Sequence, residues 1–169
     1  IHSVAYNPAE NAFYASTGDR DHADGRHECH WLRGTYNAPR DTWEWKVLVS
    51  SGSNSRYKSG GINFVNGQLY WAADANGSVP AGQFHDRGIF TCDPGDIADK
   101  SKHTQLFNPL YESANMIIED DVILSALYAP ASPYRTGLII SPDLGSSCAT
   151  YDPNQFRPPP PGRNPRLPA

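Results

Sequence analysis

Short apolar runs, most of them alternating with polar residues, recur along this chain in groups of four. The last group has runs at residues 114–118 and 122–128, joined by a three-residue acidic turn, then a run at 138–140 and another beginning at Cys148. Runs of this length, bounded by Gly, Asp, Ser or Pro, are typical of β-strands. This part of the chain therefore predicts two successive hairpins.

The same pattern occurs twice more upstream. In the middle group, residues 61–65 turn at Asn66-Gly67 into residues 68–73, and Asn-Gly between apolar runs is the strongest short-range hairpin signal. The other predicted strands are 88–92 and 104–107 in the middle group, and 2–6, 12–17, 29–35 and 42–49 in the first. Corresponding strands lie roughly 50 to 60 residues apart, near the repeat length of propeller blades. The pattern predicts three units of four antiparallel strands.

Composition agrees with a β-rich chain and disfavours several classes of protein. Of the 169 residues 38% are hydrophobic, which is enough for a packed core, and 15 prolines and 14 glycines favour turns over helices. The net charge of −4, without a block of like charges, does not suggest a nucleic-acid partner. No apolar run approaches about 20 residues, so no membrane insertion is expected.

Residues 141–148, which read SPDLGSSC, join two of the predicted strands. They resemble the Asp-box of sialidase-like β-propellers, S/T-x-D-x-G-x-T/S-W/F, with Cys148 in place of the aromatic residue and matches at Ser141, Asp143, Gly145 and Ser147. The resemblance implies an all-β fold of about three four-stranded antiparallel blades, at about residues 1–50, 60–108 and 113–156. The Pro-rich residues 157–169 are expected to form a flexible tail.

Three blades are fewer than the roughly four to eight of a closed propeller. The chain is therefore expected to be a piece of a longer propeller chain, with a homo-oligomer that completes the ring as the alternative. The pattern HSVAYNP…FYASTGD also resembles propeller modules of bacterial and bacteriophage surface or tail proteins. That resemblance implies an extracellular, cell-surface or virion-associated location.

Blade topology divides the connections between two rims. Those from the second to the third strand of a blade, and from one blade to the next, share one rim and are long and rich in reactive side chains. The Asp-box turn lies on the opposite rim, where Asp143 and Ser147 are expected to bond local backbone groups and lock the turn. Functional residues are therefore expected in the long loops.

Three arginines, Arg56, Arg87 and Arg135, lie in different connections of this rim. Guanidinium groups bind carboxylates in a bidentate manner, so converging arginines would suit an acidic sugar, with solvated loop arginines as the alternative. Sialidase-like enzymes hold the substrate carboxylate with three arginines, so the resemblance implies a glycan partner.

Tyrosines on the same rim are further candidates for substrate binding. Sialidase-like enzymes use a Tyr nucleophile activated by Glu, and Tyr111 and Glu112 are the residues here that could fill these positions, although adjacent side chains normally point apart. Tyr57, Tyr111 and Tyr134 could stack on a sugar ring.

His85, Asp86 and Tyr57 could supply a base, an orienting carboxylate and a tyrosine acid. Propeller-fold polysaccharide lyases use His and Tyr to abstract a proton beside a uronic carboxylate that Arg neutralises, so this chemistry is conceivable here. A plain polar loop is the alternative interpretation.

His22, His27, Cys29 and His30 are the densest group of potential metal ligands. His27 and His30 lie in a loop-to-strand segment and have no second matching pair, so zinc is only an alternative. Residues 19–25 have the carboxylate density of a calcium loop, with the glycine one place late. No bound cofactor is therefore expected, with zinc and calcium as the alternatives.

The three cysteines, Cys29, Cys92 and Cys148, do not form a disulfide framework, and buried thiols are expected. The aromatic residues within strands are expected to pack between blades rather than bind sugar; they are Trp31, Trp43, Trp45, Tyr70 and Trp71.

Three functions are consistent with these observations. The first is a carbohydrate-recognising or carbohydrate-processing module that acts on acidic extracellular glycans. The second is a non-catalytic structural or interaction module of a viral tail or cell-surface protein. The third is a His/Tyr polysaccharide lyase. If the chain is an enzyme, it is expected to be a glycoside hydrolase or a polysaccharide lyase.

Overall fold

The computed structural model describes residues 1–18, 21–52, 54–75, 85–109, 112–128 and 136–151. Within them the fold is all-β, with three four-stranded antiparallel sheets and three short 3-10 turns, at Ala38–Arg40, Pro94–Asp96 and Lys100–Lys102. No helix in these ranges is long and apolar enough to cross a membrane. The all-β class and the three four-stranded antiparallel sheets therefore agree with the prediction from the sequence.

Each sheet is a meander whose strands follow one another in chain order. The first sheet contains β1 (Ser3–Asn7), β2 (Ala12–Ser16), β3 (Cys29–Asn37) and β4 (Thr42–Ser51). The second contains β5 (Ser59–Val65), β6 (Gln68–Ala73), β7 (Gly88–Cys92) and β8 (Thr104–Phe107). The third contains β9 (Glu112–Glu119), β10 (Val122–Tyr128), β11 (Thr136–Ser141) and β12 (Ala149–Tyr151).

Two tight turns fix the register of the inner hairpins. Asn66 and Gly67 have φ of 51° and 79°, and Asp120 and Asp121 have φ of 48° and 64°. Two-residue hairpin loops of this kind need positive φ at both positions, which Asn, Asp and Gly tolerate best. The strands pair directly on either side of these turns.

The first strands of neighbouring sheets lie close together. The amide of Ile62 in β5 donates to Ser3 Oγ in β1 over 3.0 Å, and Asn63 Nδ2 donates to the carbonyl of Met116 in β9 over 3.2 Å. A Cβ at Gly61 would lie 2.6 Å from the backbone nitrogen and oxygen of Met116. Only glycine permits this approach of β5 to β9.

The second sheet is buried on both faces because its strands alternate between two cores. Leu69 and Trp71 pack against Tyr14 and Trp31 of the first sheet, whereas Tyr70 on the other face packs toward the third sheet. The second core also contains Ala72, Ile89, Met116, Ile123 and Ile139. The continuous apolar sequence of β6 is typical of a strand with two covered faces.

Two tryptophans depart from the expectation that strand aromatics pack between units. Trp43 and Trp45 in β4 are 47% and 51% exposed, on the face of the first sheet that points away from the second. Strand alternation puts both on one face, but in the part of the chain that the structure describes no sheet packs there. Tyr70, Trp31 and Trp71 are buried, as expected.

The turn between β11 and β12 is fixed by its own polar side chains. Ser141 Oγ accepts a hydrogen bond from the amide of Gly145 over 2.8 Å. The Asp143 carboxylate accepts hydrogen bonds from the amide and the hydroxyl of Ser147, each over 2.7 Å. These hydrogen bonds from Ser147 lower the pKa of Asp143 below its ordinary value. The expected bonding of Asp143 to a local backbone group is confirmed, whereas the Ser147 hydroxyl bonds the Asp143 side chain rather than the backbone.

Candidate functional site

One edge of the three sheets carries the long connections, and we call this edge the loop rim. It comprises the described parts of the connections β2–β3, β4–β5, β6–β7 and β8–β9. The described parts of these connections are residues 17–18, 21–28, 52, 54–58, 74–75, 85–87 and 108–109. Two separate arrangements of polar side chains occur on this rim: a cleft lined by histidines, and a charged cluster around Asp86.

The first arrangement is a cleft of about 490 Å³ at the base of the β2–β3 connection. We call it the histidine cleft; its lining residues are His22, Arg26, His27, Glu28, His30 and Ser50. The connection folds back tightly, with the amide of His22 donating to the Arg26 carbonyl over 3.0 Å. The hydroxyl of Thr17 donates to the Glu28 carbonyl over 2.9 Å, which holds the two ends of the connection together.

The three histidines of the cleft have different partners. His22 Nε2 lies 2.5 Å from Glu28 Oε1, and His27 Nδ1 lies 3.6 Å from Asp21 Oδ1. His30 Nδ1 lies 2.9 Å from Ser50 Oγ on the neighbouring strand. The cleft therefore presents imidazole, carboxylate and hydroxyl groups side by side. Within the described ranges no group of three or more His, Cys, Asp or Glu side chains is placed to hold a metal ion.

Asp86 lies at the centre of the charged cluster on the rim. Arg56 Nε donates to Asp86 Oδ1 over 2.6 Å, and Lys100 Nζ donates to Asp86 Oδ2 over 2.9 Å. Burial raises the pKa of Asp86, but the hydrogen bonds from Lys100 and Arg56 outweigh this effect and the pKa falls below its ordinary value. Asp86 is therefore an ionised carboxylate with both oxygens already bound to cations.

Two buried indoles fix the backbone beside this cluster. Trp71 Nε1 donates to the carbonyl of Arg56, and Trp31 Nε1 donates to the carbonyl of Tyr57, each over 2.7 Å. The Arg56 guanidinium also lies over the ring of Phe90, at 4.7 Å from its centroid. The first and second sheets therefore each donate one hydrogen bond to the backbone of the β4–β5 connection, and the Arg56 side chain binds Asp86.

Tyr57 is buried at 3% exposure, and its ring makes a T-shaped contact with His103, at 5.8 Å between ring centroids. Burial raises the pKa of Tyr57 to about 12. His103 also makes a T-shaped contact with Trp71, at 4.9 Å between ring centroids. Burial, and secondly the positive charge of Arg56, lowers the pKa of His103. This pair is a neutral aromatic contact beneath the rim.

The other residues expected at a site are distributed more widely. Arg87 is 1% exposed, and its carbonyl accepts a hydrogen bond from Gln105 over 2.6 Å. The carbonyl of His85 accepts from Arg56 over 3.5 Å, and its side chain is exposed. Residue Glu112 begins β9. Three remaining candidates lie outside the described residues: Tyr111, Tyr134 and Arg135.

Five residues of these arrangements were not identified from the sequence: Arg26, Glu28, Ser50, Lys100 and His103. Arg26 and Glu28 stand beside the candidate histidines and could have been found from that position alone. Lys100 and His103 reach the rim residues because the 93–103 segment folds back over the second sheet through its two 3-10 turns. No local pattern in the sequence indicates that return. The comparisons with known proteins return no matching protein family, no matching curated protein and no matching solved structure.

Proposed function

We propose that this chain is a carbohydrate-recognising module that binds acidic glycans in the histidine cleft. The observation that carries the proposal is the composition of the cleft: about 490 Å³ with three imidazoles, one guanidinium, one carboxylate and one hydroxyl along its wall. Sugars are bound through many hydrogen bonds to planar polar groups, and a glycan carboxylate adds a preference for cationic donors. The cleft offers both kinds of partner.

Each part of the cleft has a role in this proposal. Imidazole N–H groups of His27 and His30 donate to the hydroxyls or the carboxylate of the glycan. Glu28 accepts from sugar hydroxyls, and Arg26, whose Nε donates to Asp24 over 2.8 Å, presents its other N–H groups to the glycan carboxylate. The cleft lies on the rim that carries the long loops, where binding residues on a rigid scaffold are usual.

Recognition is a better account than processing for the described residues. A lyase or hydrolase needs an acid or base that reaches the bond being broken, within about 3 Å. Tyr57 is buried with a pKa raised to about 12, and Asp86 is bound by two cations, so neither supports proton transfer to a ligand on the rim. Binding without cleavage is therefore the form of the proposal.

The proposal includes an architecture and a location. The three sheets are taken as successive blades of a partial β-propeller, with the hydrogen-bonded turn at residues 141–147 as an Asp-box. The close packing of first strands, such as Ile62 on Ser3, supports this arrangement. The proposed location is extracellular, at a cell surface or on a virion, in keeping with the proposed acidic-glycan ligand.

Calorimetric titration with sialylated and uronate oligosaccharides, and with their neutral counterparts, tests the function. We expect saturable binding of the acidic oligosaccharides, weakened about tenfold, or about 1.4 kcal/mol, by His30→Ala and by Arg26→Ala. Lys46→Ala is the control, because Lys46 lines a different cleft, with Glu10 and Arg33. Equal binding by wild type and cleft variants contradicts the assignment, and glycan products by mass spectrometry contradict binding without cleavage.

A non-catalytic structural module is the second candidate. It is favoured by the exposed aromatic residues Trp43 and Trp45 on the first sheet, which suit a protein contact better than open solvent. Absence of binding to any acidic glycan in the same titrations supports this candidate.

A further inference from the structure

The outward face of the first sheet is an exposed aromatic surface. Ring centroids of Tyr6 and Phe13 lie 5.1 Å apart, those of Phe13 and Trp43 lie 5.4 Å apart, and Trp43 stacks on Trp45 at 6.2 Å. Tyr6, Trp43 and Trp45 are each about half exposed. We call this surface the aromatic face. Contiguous apolar surfaces of this kind usually mark a contact site.

The third sheet carries an uncovered surface at the other end of the structure. Ile117, Val122 and Leu138 are 55%, 39% and 41% exposed, whereas Met116, Ile123 and Ile139 on the opposite side of the sheet pack against the second sheet. We call this surface the aliphatic face. Within the described part of the chain no element packs on it.

The two faces are related by the packing already present in the structure. The second sheet presents one face to the first sheet and the other to the third, and both contacts bury apolar residues. The aromatic face is the side of the first sheet that would meet a preceding sheet. The aliphatic face is the side of the third sheet that would meet a following one. Joining an aliphatic face to an aromatic face therefore continues the existing interface between sheets.

We propose that two copies of this chain associate head to tail, with the aliphatic face of each covering the aromatic face of the other. A head-to-tail contact between different surfaces either closes into a ring or extends into a filament. Counting only the sheets in the described ranges, two copies supply six, within the roughly four to eight that close a propeller, so the proposed contact closes and leaves neither face exposed. The proposal rests on the propeller architecture proposed above and does not depend on glycan binding.

Light scattering after gel filtration of the 18.6 kDa chain, at increasing concentration, tests the association. The expected mass is twice that of one chain. Trp45→Lys blocks the aromatic face and Ile117→Glu blocks the aliphatic face, and each alone is expected to halve the measured mass. Glu44→Lys is the control, because it introduces a lysine at the residue next to Trp45 in β4, whose side chain lies on the other side of the sheet. This variant should remain a dimer.

Mixing the two blocked variants distinguishes this arrangement from other dimers. The mixture retains one unaltered contact and pairs Lys with Glu at the other, so the mass should return to twice that of one chain. A monomeric wild type overturns the proposal. It favours instead a longer chain whose further sheets cover the aromatic and aliphatic faces. A dimer abolished by only one of the two substitutions indicates like-with-like pairing and also overturns it, as do open oligomers. Circular dichroism confirms that each variant is folded.

Discussion

Arg56 Nε lies 2.6 Å from Asp86 Oδ1, which links the β4–β5 connection to the β6–β7 connection across the second sheet. Both side chains are largely shielded from solvent, at 14% and 21% exposure. Loss of one partner from a partly buried ion pair is destabilising because the remaining charge is left without compensation, and removal of the Asp86 charge would leave Arg56 in this state. The pair is therefore a structural element of the loop rim.

Replacement of Asp86 by Asn should lower the free energy of unfolding by roughly 1–3 kcal/mol, because the cationic donors lose an ionised acceptor. Urea denaturation followed by tryptophan fluorescence measures the change. Asp120→Asn is the matched control: its φ of 48° lies in a turn position that Asn tolerates, so little change is expected. Equal effects of the two substitutions would contradict the structural role of Asp86.

His103 should make stability depend on pH. Burial lowers the pKa of His103 below its ordinary value of 6.5, so the unfolded chain takes up a proton at a higher pH than the native chain. Stability should fall as the pH decreases below about 6.5, toward the lower native pKa. His103→Phe keeps a ring against Trp71 and should flatten this part of the profile. An unchanged profile in the variant would count against this assignment.

Asp86 should produce a second decrease in stability at lower pH. Its native pKa is below the unfolded value, so its contribution is complete above about pH 4 and disappears as the pH falls through the native pKa. Stability profiles of wild type and Asp86→Asn should converge in strong acid. Parallel profiles at all pH values would show that the carboxylate charge is not responsible.

The strands could be predicted from the sequence because alternation and turn residues are local signals. Asn66-Gly67 requires positive φ in a two-residue hairpin, and the structure has it. Alternation also put Trp43 and Trp45 on one face of a strand, but it does not tell whether another sheet covers that face. The contacts of Asp86 could not be predicted, since Arg56 is 30 residues away and Lys100 comes from a segment that folds back.

Gly61→Ala should destabilise the protein by about 1–3 kcal/mol, because the new methyl group would overlap the Met116 backbone and separate β5 from β9. Thermal unfolding followed by circular dichroism measures the effect. At Gly95 an added Cβ has no heavy atom within 4 Å, so Gly95→Ala is the control and should change the unfolding temperature little. Similar unfolding temperatures for both variants would contradict the close approach of the two strands.

The three free cysteines should differ in reactivity toward a thiol reagent at mildly alkaline pH. Burial raises the pKa of Cys29 to about 11 and that of Cys92 to about 12, and both are buried. Only the partly exposed Cys148 should react in the native protein, and slowly, because burial also raises its pKa. All three should react after denaturation. Rapid native modification of Cys29 would contradict the packing of the first core.

Side-chain NMR of the histidines tests the proposed glycan site most directly. The chain has six histidines, of which His22, His27 and His30 line the cleft, whereas His103 is buried beneath the rim. At constant pH, a titration with an acidic oligosaccharide should shift the ¹H–¹⁵N imidazole signals of the three cleft histidines along one saturating curve and leave His103 unchanged. Signals of His22, His27 and His30 that stay in place while the glycan binds, or that move no more than those of His2, would contradict the account.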